Sequence, residues 1–427
     1  MTIRNPEFRR NLLLELSGQR LLLMPLVLFP LFLLGWTWGE AKGAAAVAQA
    51  AGWGLLVFWG TRLAVDSLSA EVLAKTWDGQ RLSGIGPVTM TVGKLFGGTI
   101  FAWYGGVMCL AVSALGGGVD GDSLAALRLL ITGFFAQAVA FWFGMVQLRL
   151  RPGAGRFQVT VAQIVGIVVS IQAAPLIGLF DWQVQWYGIA FDSYGFMLFS
   201  TALFTLWTWV ACWRLMRADL RYRSYPFVWL GFLLFLVVYF GGLTDSVFGE
   251  FANAGGNLLR GAVAYHVLVG VTWVAALLEP KSIVRLRQAR NSGQQGDWRR
   301  FLAEVPPFAV GLPVIAVVGL ATTLGQPEAG LLGAQLLSVF LFLLRDILLV
   351  YFVVLNPKAR RPHGAALIFL VVLYLLAPAL IADSGVSALM PFFIPMGGVE
   401  PVFGLVGPLV QAIGFGILFG TRFRMAP

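Results

Sequence analysis

Three observations predict an all-α protein that crosses a membrane many times. Hydrophobic residues make up 58% of the 427 and charged residues 12%, with a mean hydropathy of +0.81, whereas an ordinary soluble domain is about 25% charged. Apolar runs of about 20 residues, long enough to cross a hydrocarbon core of roughly 30 Å as helix, recur along the chain. Basic residues gather in alternate connections between those runs, as expected of cytoplasmic loops.

The runs lie at 21–38, 45–64, 95–115, 124–146, 159–179, 191–212, 227–248, 261–278, 308–324, 331–355, 365–382 and 402–420, which predicts about twelve transmembrane helices. They are continuous rather than alternating, so helices are expected and not barrel strands. With twelve spans one side collects Arg4, Arg9, Arg10, Arg20, Arg62, Lys75, Arg81, Lys94, Arg149, Arg214, Arg217, Lys281, Arg285, Lys358, Arg422 and Arg424. The other side holds only Lys42, Arg128 and Arg260 among many carboxylates. Both termini are therefore expected in the cytoplasm. The organisation predicted is a cytoplasmic interfacial helix over 1–20, a first six-span half over 21–212 and a second over 213–427. No internal repeat is evident in the sequence.

Loops facing anionic lipid account for the net charge of +10, and no soluble basic domain points to nucleic acid. Cys109 and Cys212 fall inside apolar runs and read as small buried hydrophobes. At the N-terminus, Asn5 before Pro6 is a helix cap and first turn. Phe8, Leu12 and Leu16 then form a stripe away from Glu7, Arg9 and Arg10, as in a helix lying on the membrane surface. Ser17, Gly18, Gln19 and Arg20 separate it from the first span.

The most informative stretch is 66–94, DSLSAEVLAKTWDGQRLSGIGPVTMTVGK, a polar island in an apolar chain. Its good helix formers run from Ser69 to about Asp78. Gly79, Ser83, Gly84 and Gly86 interrupt them, and Pro87 can open a helix that continues through Lys94 into the third span. The order Glu71, Thr76, Trp77, Asp78, Leu82, Ser83, Pro87, Gly93, Lys94 resembles the segment after the second span of ABC-2-type permeases. The likeness includes the N-terminal helix and covers about the first quarter of the chain. The chain departs from the family pattern at Lys75, where Gly is usual, at Gly84, where Pro is common, and in length, since the family core has six spans. The resemblance implies a permease subunit of an ATP-binding-cassette transporter, an exporter, in a bacterial cytoplasmic (inner) membrane. It implies that Glu71, Thr76, Trp77, Asp78, Arg81, Ser83, Pro87 and Lys94 belong to a coupling helix that meets a separate cytoplasmic ATPase subunit. Membrane lipids and an optional second permease chain complete the implied partners. No Walker A loop exists here: Val88 replaces its first Gly and Leu95 its hydroxyl, so ATP and Mg2+ belong to the partner.

Within the spans, Arg345 and Asp346 are costly unless paired. Neighbours on a helix point about 100° apart, so partners on other helices are expected, either as a structural contact or as a substrate or gating element. His266 has no second ligand at helical spacing and reads as a satisfied core histidine rather than a metal ligand or proton relay. Tryptophans such as Trp36, Trp38, Trp182, Trp207 and Trp213 read as interfacial belts. Gly93 with Gly97, and Gly416 with Gly420, would permit close helix contact. No catalytic motif or metal cluster is evident in the sequence. The rival classes are an ion-coupled secondary carrier, whose candidate groups are Arg345, Asp346 and His266, and an integral membrane enzyme.

Overall fold

The structure, a computed structural model, describes residues 5–117, 124–150, 155–171, 183–248, 250–324, 330–356, 362–396 and 400–425. It divides into two compact units, Met1–Val184 with Phe191–Ser224, and Gln185–Ala190 with Tyr225–Pro427.

In the first unit, α1 (Pro6–Glu15) starts where local chemistry dictates: the Asn5 side chain accepts from the N–H groups of Glu7 at 3.0 Å and Phe8 at 3.1 Å. The helix α2 (Gly18–Gly52) reverses at Gly39 and Glu40, the latter at φ 52°, ψ −135°. The backbones of Gly35 and Gly43 meet across the reversal, although eight residues of straight helix would hold them about 12 Å apart. A π-helical segment, Trp53–Trp59, then leads into α3 (Gly60–Leu73). A π turn mis-pairs carbonyls inside an apolar helix, where nothing else can satisfy them. Gln137 Nε2 donates to the Leu56 carbonyl at 2.9 Å, Thr61 Oγ1 to Val57 at 2.6 Å and Gln163 Nε2 to Phe58 at 2.9 Å.

There follow α4 (Trp77–Arg81), α5 (Pro87–Gly97), α6 (Ile100–Leu115), α7 (Ala125–Leu150), α8 (Arg156–Ile171) and α9 (Ser193–Asp219). The axis turns by 58° between α5 and α6, so Pro87 does open a helix through Lys94, but it does not run straight into the third span. The central helix is α7, which packs against α3, α6, α8 and α9. Its Ala138, Phe141 and Met145 join Ala64, Leu68, Trp77, Met90, Leu95, Cys212 and Met216 in one apolar core.

Before α9 the chain forms a small hairpin, β1 (Gln183–Trp186) and β2 (Ile189–Asp192), which departs from the all-helical expectation. Tyr187 and Gly188 have φ values of 50° and 76°, the backbone of a type I′ turn. Tyr-Gly is not the usual Asn-Gly signal for that turn, and for this reason the hairpin is hard to see in the sequence.

The second unit contains α10 (Phe227–Phe248), α11 (Glu250–Leu278), α12 (Ile283–Gln294), α13 (Trp298–Glu304), α14 (Pro307–Thr323) and α15 (Gly330–Val354). It continues with α16 (Pro362–Val371), a π segment (Val372–Leu376), α17 (Ala377–Asp383), a 3-10 turn (Ser387–Phe392) and α18 (Pro401–Met425). Here α15 is central, packing against α11, α14, α16 and α18. Glycines let α11 and α14 approach closely: a Cβ on Gly311 would lie 2.7 Å from Thr272 Oγ1, and one on Gly319 2.9 Å from the Tyr265 ring.

Apart from the hairpin the described residues are almost wholly helical, and their long apolar helices fit a polytopic membrane protein. Among the described residues, eight helices are long and apolar enough to cross a membrane, ten if each of two bent pairs counts as one span. The twelve expected runs meet that smaller number for local reasons. The first two join in the reversing path Gly18–Leu73, the third is broken by a bend of 58°, the ninth is the 17-residue helix α14, set off from α13 by a bend of 100°, and only Arg156–Ile171 of the fifth is described as helix. Of the two glycine pairs, Gly93 and Gly97 make the close contact. A Cβ on Gly93 would sit 2.6 Å from Glu7 Cβ, and one on Gly97 2.9 Å from Asn11 Cβ. Nothing approaches Gly420 within 4 Å, and Gly416 meets only Leu348 at 3.8 Å.

The notch at Gly93 seats α1, so Gly93→Ala is expected to lower stability by about 1–3 kcal/mol through overpacking. Gly79→Ala, with open space around it, is expected to leave the unfolding midpoint in detergent within about 1 °C of the parent, by the size scaling of surface substitutions.

Candidate functional site

Three of the eight predicted island residues, Glu71, Trp77 and Lys94, meet in the first unit at one buried charge. Lys94, on α5, is 0% exposed. Its Nζ bonds Glu7 Oε1 of α1 at 3.1 Å and Glu71 Oε2 of α3, and lies 5.0 Å from the centre of the Trp77 ring. Arg10 closes the group from outside: Nη2 reaches Glu71 Oε1 at 2.7 Å, and Nη1 reaches Glu7 Oε2 at 3.3 Å. Gln80 Nε2 also donates to Glu71 Oε1, at 2.6 Å. Two cations thus face two carboxylates, and the group is neutral. An isolated buried ammonium would cost several kcal/mol, and only such partners make the site tolerable. Burial pushes the Arg10 guanidinium down, but its bond to Glu71 and the charges of Glu7 and Glu71 outweigh this and hold it above its ordinary value.

The short helix α4 is clamped at its other side. Trp77, 5% exposed, donates its Nε1 to Asp219 Oδ2 at 2.9 Å at the end of α9. Arg81 grips the same carboxylate through Nη2 at 2.6 Å and Nε at 3.2 Å, the bidentate arrangement that makes Arg–carboxylate pairs strong. Thr76 donates to the Glu71 carbonyl at 3.3 Å, and Ser83 to the Gln80 carbonyl at 2.6 Å. Pro87 occupies the first turn of α5. At the outer edge of this clamp Asp78, 85% exposed by side chain, accepts from Arg81 Nη1 at 3.1 Å, and Leu82 is 87% exposed by residue, with Leu73 and Val88 also exposed. The island therefore presents a small outward face on a base fixed by ion pairs.

Two positions of the island have positive φ. Lys75 has φ 57°, the left-handed region that favours glycine, so the backbone is strained there. Gly84 has φ 70°, which proline cannot adopt, so the turn here differs from a Ser-Pro turn. The expected helix from Ser69 to Asp78 is also split: α3 ends at Leu73, and α4 begins at Trp77.

The structure corrects the sequence expectation for α1. Glu7 lies off the Phe8, Leu12 and Leu16 stripe, as its spacing predicts, yet it is 3% exposed, while Leu13 and Leu14 face outward. The need to neutralise Lys94 outweighs the apolar stripe. Sequence reasoning missed Glu7, Arg10, Gln80 and Asp219 as members of the group. Their only signal was polarity beside an otherwise apolar chain.

In the second unit, Arg345 and Asp346 are both buried on α15. Against expectation they pair with each other, Arg345 Nε donating to Asp346 Oδ1 at 2.9 Å. The arginine stem is long enough to curl back to its neighbour despite the 100° offset of their Cβ vectors. Other elements contribute as well. Trp273 Nε1 and Tyr374 OH donate to Asp346 Oδ2 at 3.0 and 2.7 Å, and Arg345 Nη1 donates to Gln411 Oε1 at 2.9 Å. Arg345 Nη2 sits 2.8 Å from Asp346 Oδ1 but is not aligned for a hydrogen bond. His266 does not join them. Its side chain is exposed rather than in the core, and Nδ1 lies 2.7 Å from the Ala262 carbonyl of its own helix. Among the described residues no group of three metal-ligating side chains occurs.

No family model matches the chain, and no curated protein or solved structure matches it either.

Two predictions follow from the buried charges. Lys94→Met strands Glu7 and Glu71, and is expected to cost roughly 3–5 kcal/mol of stability. Adding Glu71→Gln should restore at least about 1 kcal/mol of that loss if the two share a charge. Strict additivity of unfolding midpoints would disprove the coupling. Between α11 and α12, burial pulls the Lys281 amine down to about 8 against the opposing charge of Glu279, while its Nζ bonds the Leu277 carbonyl at 2.7 Å. It is protonated below that pH and neutral above it, whereas an ordinary lysine changes near about 10.4. Acylation of Lys281 is expected to rise steeply from pH 7 to 9, ahead of the other lysines; peptide mass spectrometry showing no such lead would disprove it.

Proposed function

We propose that this chain is the membrane-spanning permease subunit of an ATP-driven ABC-2-type transporter, working as an exporter with a separate cytoplasmic ATPase. The reading places it in a bacterial inner membrane with twelve spans and both termini in the cytoplasm. The eight long apolar helices support a many-span reading, to which the reversal at Gly39 and the two bent pairs add further crossings. The observation that carries the reading is the clamp around Lys94 and Asp219, which ties the exposed helix α4 to α1, α3, α5 and α9. A push on α4 reaches α3 through Gln80 and Glu71 and α9 through Trp77, Arg81 and Asp219, and it passes from Glu71 to Arg10 of α1 and Lys94 of α5, as a coupling helix requires.

In the mechanism proposed, an ATPase pair closes on ATP and presses the segment from Leu73 to Arg81. The clamp passes the displacement to α3 and α5, and the spans tilt to an outward-open state. ATP and Mg2+ are held wholly by the partner. The residues that meet the partner are Leu73, Asp78 and Leu82, which face outward, while Glu71, Trp77, Arg81 and Lys94 transmit. A second reading, an ion-coupled carrier, rests on the buried Asp346 with its donors Trp273, Tyr374 and Arg345.

The test is affinity purification of the full chain in mild detergent, with mass spectrometry for a soluble protein bearing a Walker A motif. Such a protein is expected in near-stoichiometric amount, and Leu73→Glu with Leu82→Glu, both at exposed positions, should reduce it at least tenfold while the unfolding midpoint stays unchanged. Glu71 is unsuitable for charge reversal, because its carboxylate neutralises Lys94. Repeated absence of the partner, or full retention in the double variant, would overturn the reading in favour of a carrier built around Asp346.

A further inference from the structure

The second unit repeats the plan of the first. In each, a long helix is followed by a reversal just before the second: Glu40 at φ 52°, ψ −135°, and Gly256 at φ 47°, ψ −129°. Each second helix ends in a leucine, Leu73 or Leu278, and is followed by a short polar helical stretch, α4 in one and α12 with α13 in the other. A proline in the first turn then opens the third helix, Pro87 or Pro307. Among the described residues, the two bent helix pairs fall at these third helices, 58° between α5 and α6 and 100° between α13 and α14. The fourth helices, α7 and α15, each pack against the second, third, fifth and sixth of their own unit. The sixth helices, α9 and α18, both carry arginine in the last turn.

In this plan α12 and α13 stand where α4 stands. They are braced in the same manner: Ser292 Oγ and Arg300 Nε each bond Glu304 at 2.9 Å, and Arg285 joins the Glu304 carbonyl at 2.9 Å to Glu279 at 2.8 Å at the end of α11. The braced pair turns Trp298, 65% exposed, outward with Arg290 and Arg299. Neither arginine forms an ion pair among the described residues.

We propose that Ile283–Glu304 is a second docking surface, for a second copy of the nucleotide-hydrolysing subunit, so that one copy of this chain engages two ATPases without a second permease chain. The inference rests on the permease reading above. Two exposed guanidinium groups without an ion pair among the described residues, and an exposed indole, all on α12 and α13, fit a protein groove lined with carboxylates, where arginine and tryptophan dominate binding. The face of α4, with Asp78 and Leu82, offers different chemistry, so the two copies are gripped unequally.

The test uses the full chain purified with its ATPase, carrying a photo-crosslinking residue at position 82 or at position 298, together with the intact mass of the complex. Expected are crosslinks from both positions to the same Walker A polypeptide, and a mass of one chain with two ATPases. Arg290→Glu with Arg299→Glu should halve the ATPase content and leave the crosslink from 82, and the milder Arg299→Gln should weaken the second copy without lowering the unfolding midpoint. One ATPase per chain in the parent complex, or crosslinks from 298 to lipid only, overturns the second surface and leaves the permease reading standing. No ATPase at all overturns both.

Discussion

An ammonium group sealed from water needs carboxylates around it, and in the first unit that requirement organises everything near Lys94. It draws Glu7 inward from the N-terminal helix and Glu71 from the end of α3, and leaves Arg10 to neutralise the second carboxylate. Because the charges come from three separate elements, none can move far without leaving an uncompensated charge in a dry setting. The glycine notch on α5 serves the same arrangement, since only without a Cβ at Gly93 can Glu7 come close enough to reach Lys94. Packing and electrostatics are here one constraint.

The same logic governs the polar groups deeper in both units. An α-helix in an apolar setting satisfies its own backbone, and wherever it widens into a π turn another group must supply the missing bond. Gln137, Thr61 and Gln163 do so for the segment Trp53–Trp59. In the second unit the π segment Val372–Leu376 carries Tyr374, which turns its hydroxyl to Asp346. Each central helix thus bears a buried polar group, Gln137 on α7 and Asp346 on α15, bonded by an indole N–H, Trp103 at 2.9 Å and Trp273 at 3.0 Å.

How much was legible in the sequence depended on the range of the interaction. The start of α1 at Asn5 and Pro6 and the start of α5 at Pro87 are set by neighbours in sequence, and both lie where the residues place them. The reversals at Glu40 and Gly256 both fall in breaks between apolar runs, 39–44 and 249–260, where the sequence leaves room for a turn without fixing its backbone. Lys94 meets Glu7 across 87 residues, and Arg81 meets Asp219 across 138, distances over which no periodicity speaks. The pairing of Arg345 with Asp346 was missed for the opposite reason, because a rule about Cβ directions says little about a side chain as long as arginine.

Composition and the recurrence of apolar runs, by themselves, determined that this protein is helical and crosses a membrane many times, since the cost of unpaired backbone in lipid leaves few alternatives. The sequence also marked the island from Asp66 to Lys94 as the polar exception. Only the tertiary structure decided that the island is a clamp, with Lys94 and Trp77 inside and Asp78 and Leu82 outside, because burial is a property of what packs against a residue. Only it disclosed the repeated plan of the two units, because helix packing conserves bends, reversals and neighbours through contacts that many different apolar sequences can make.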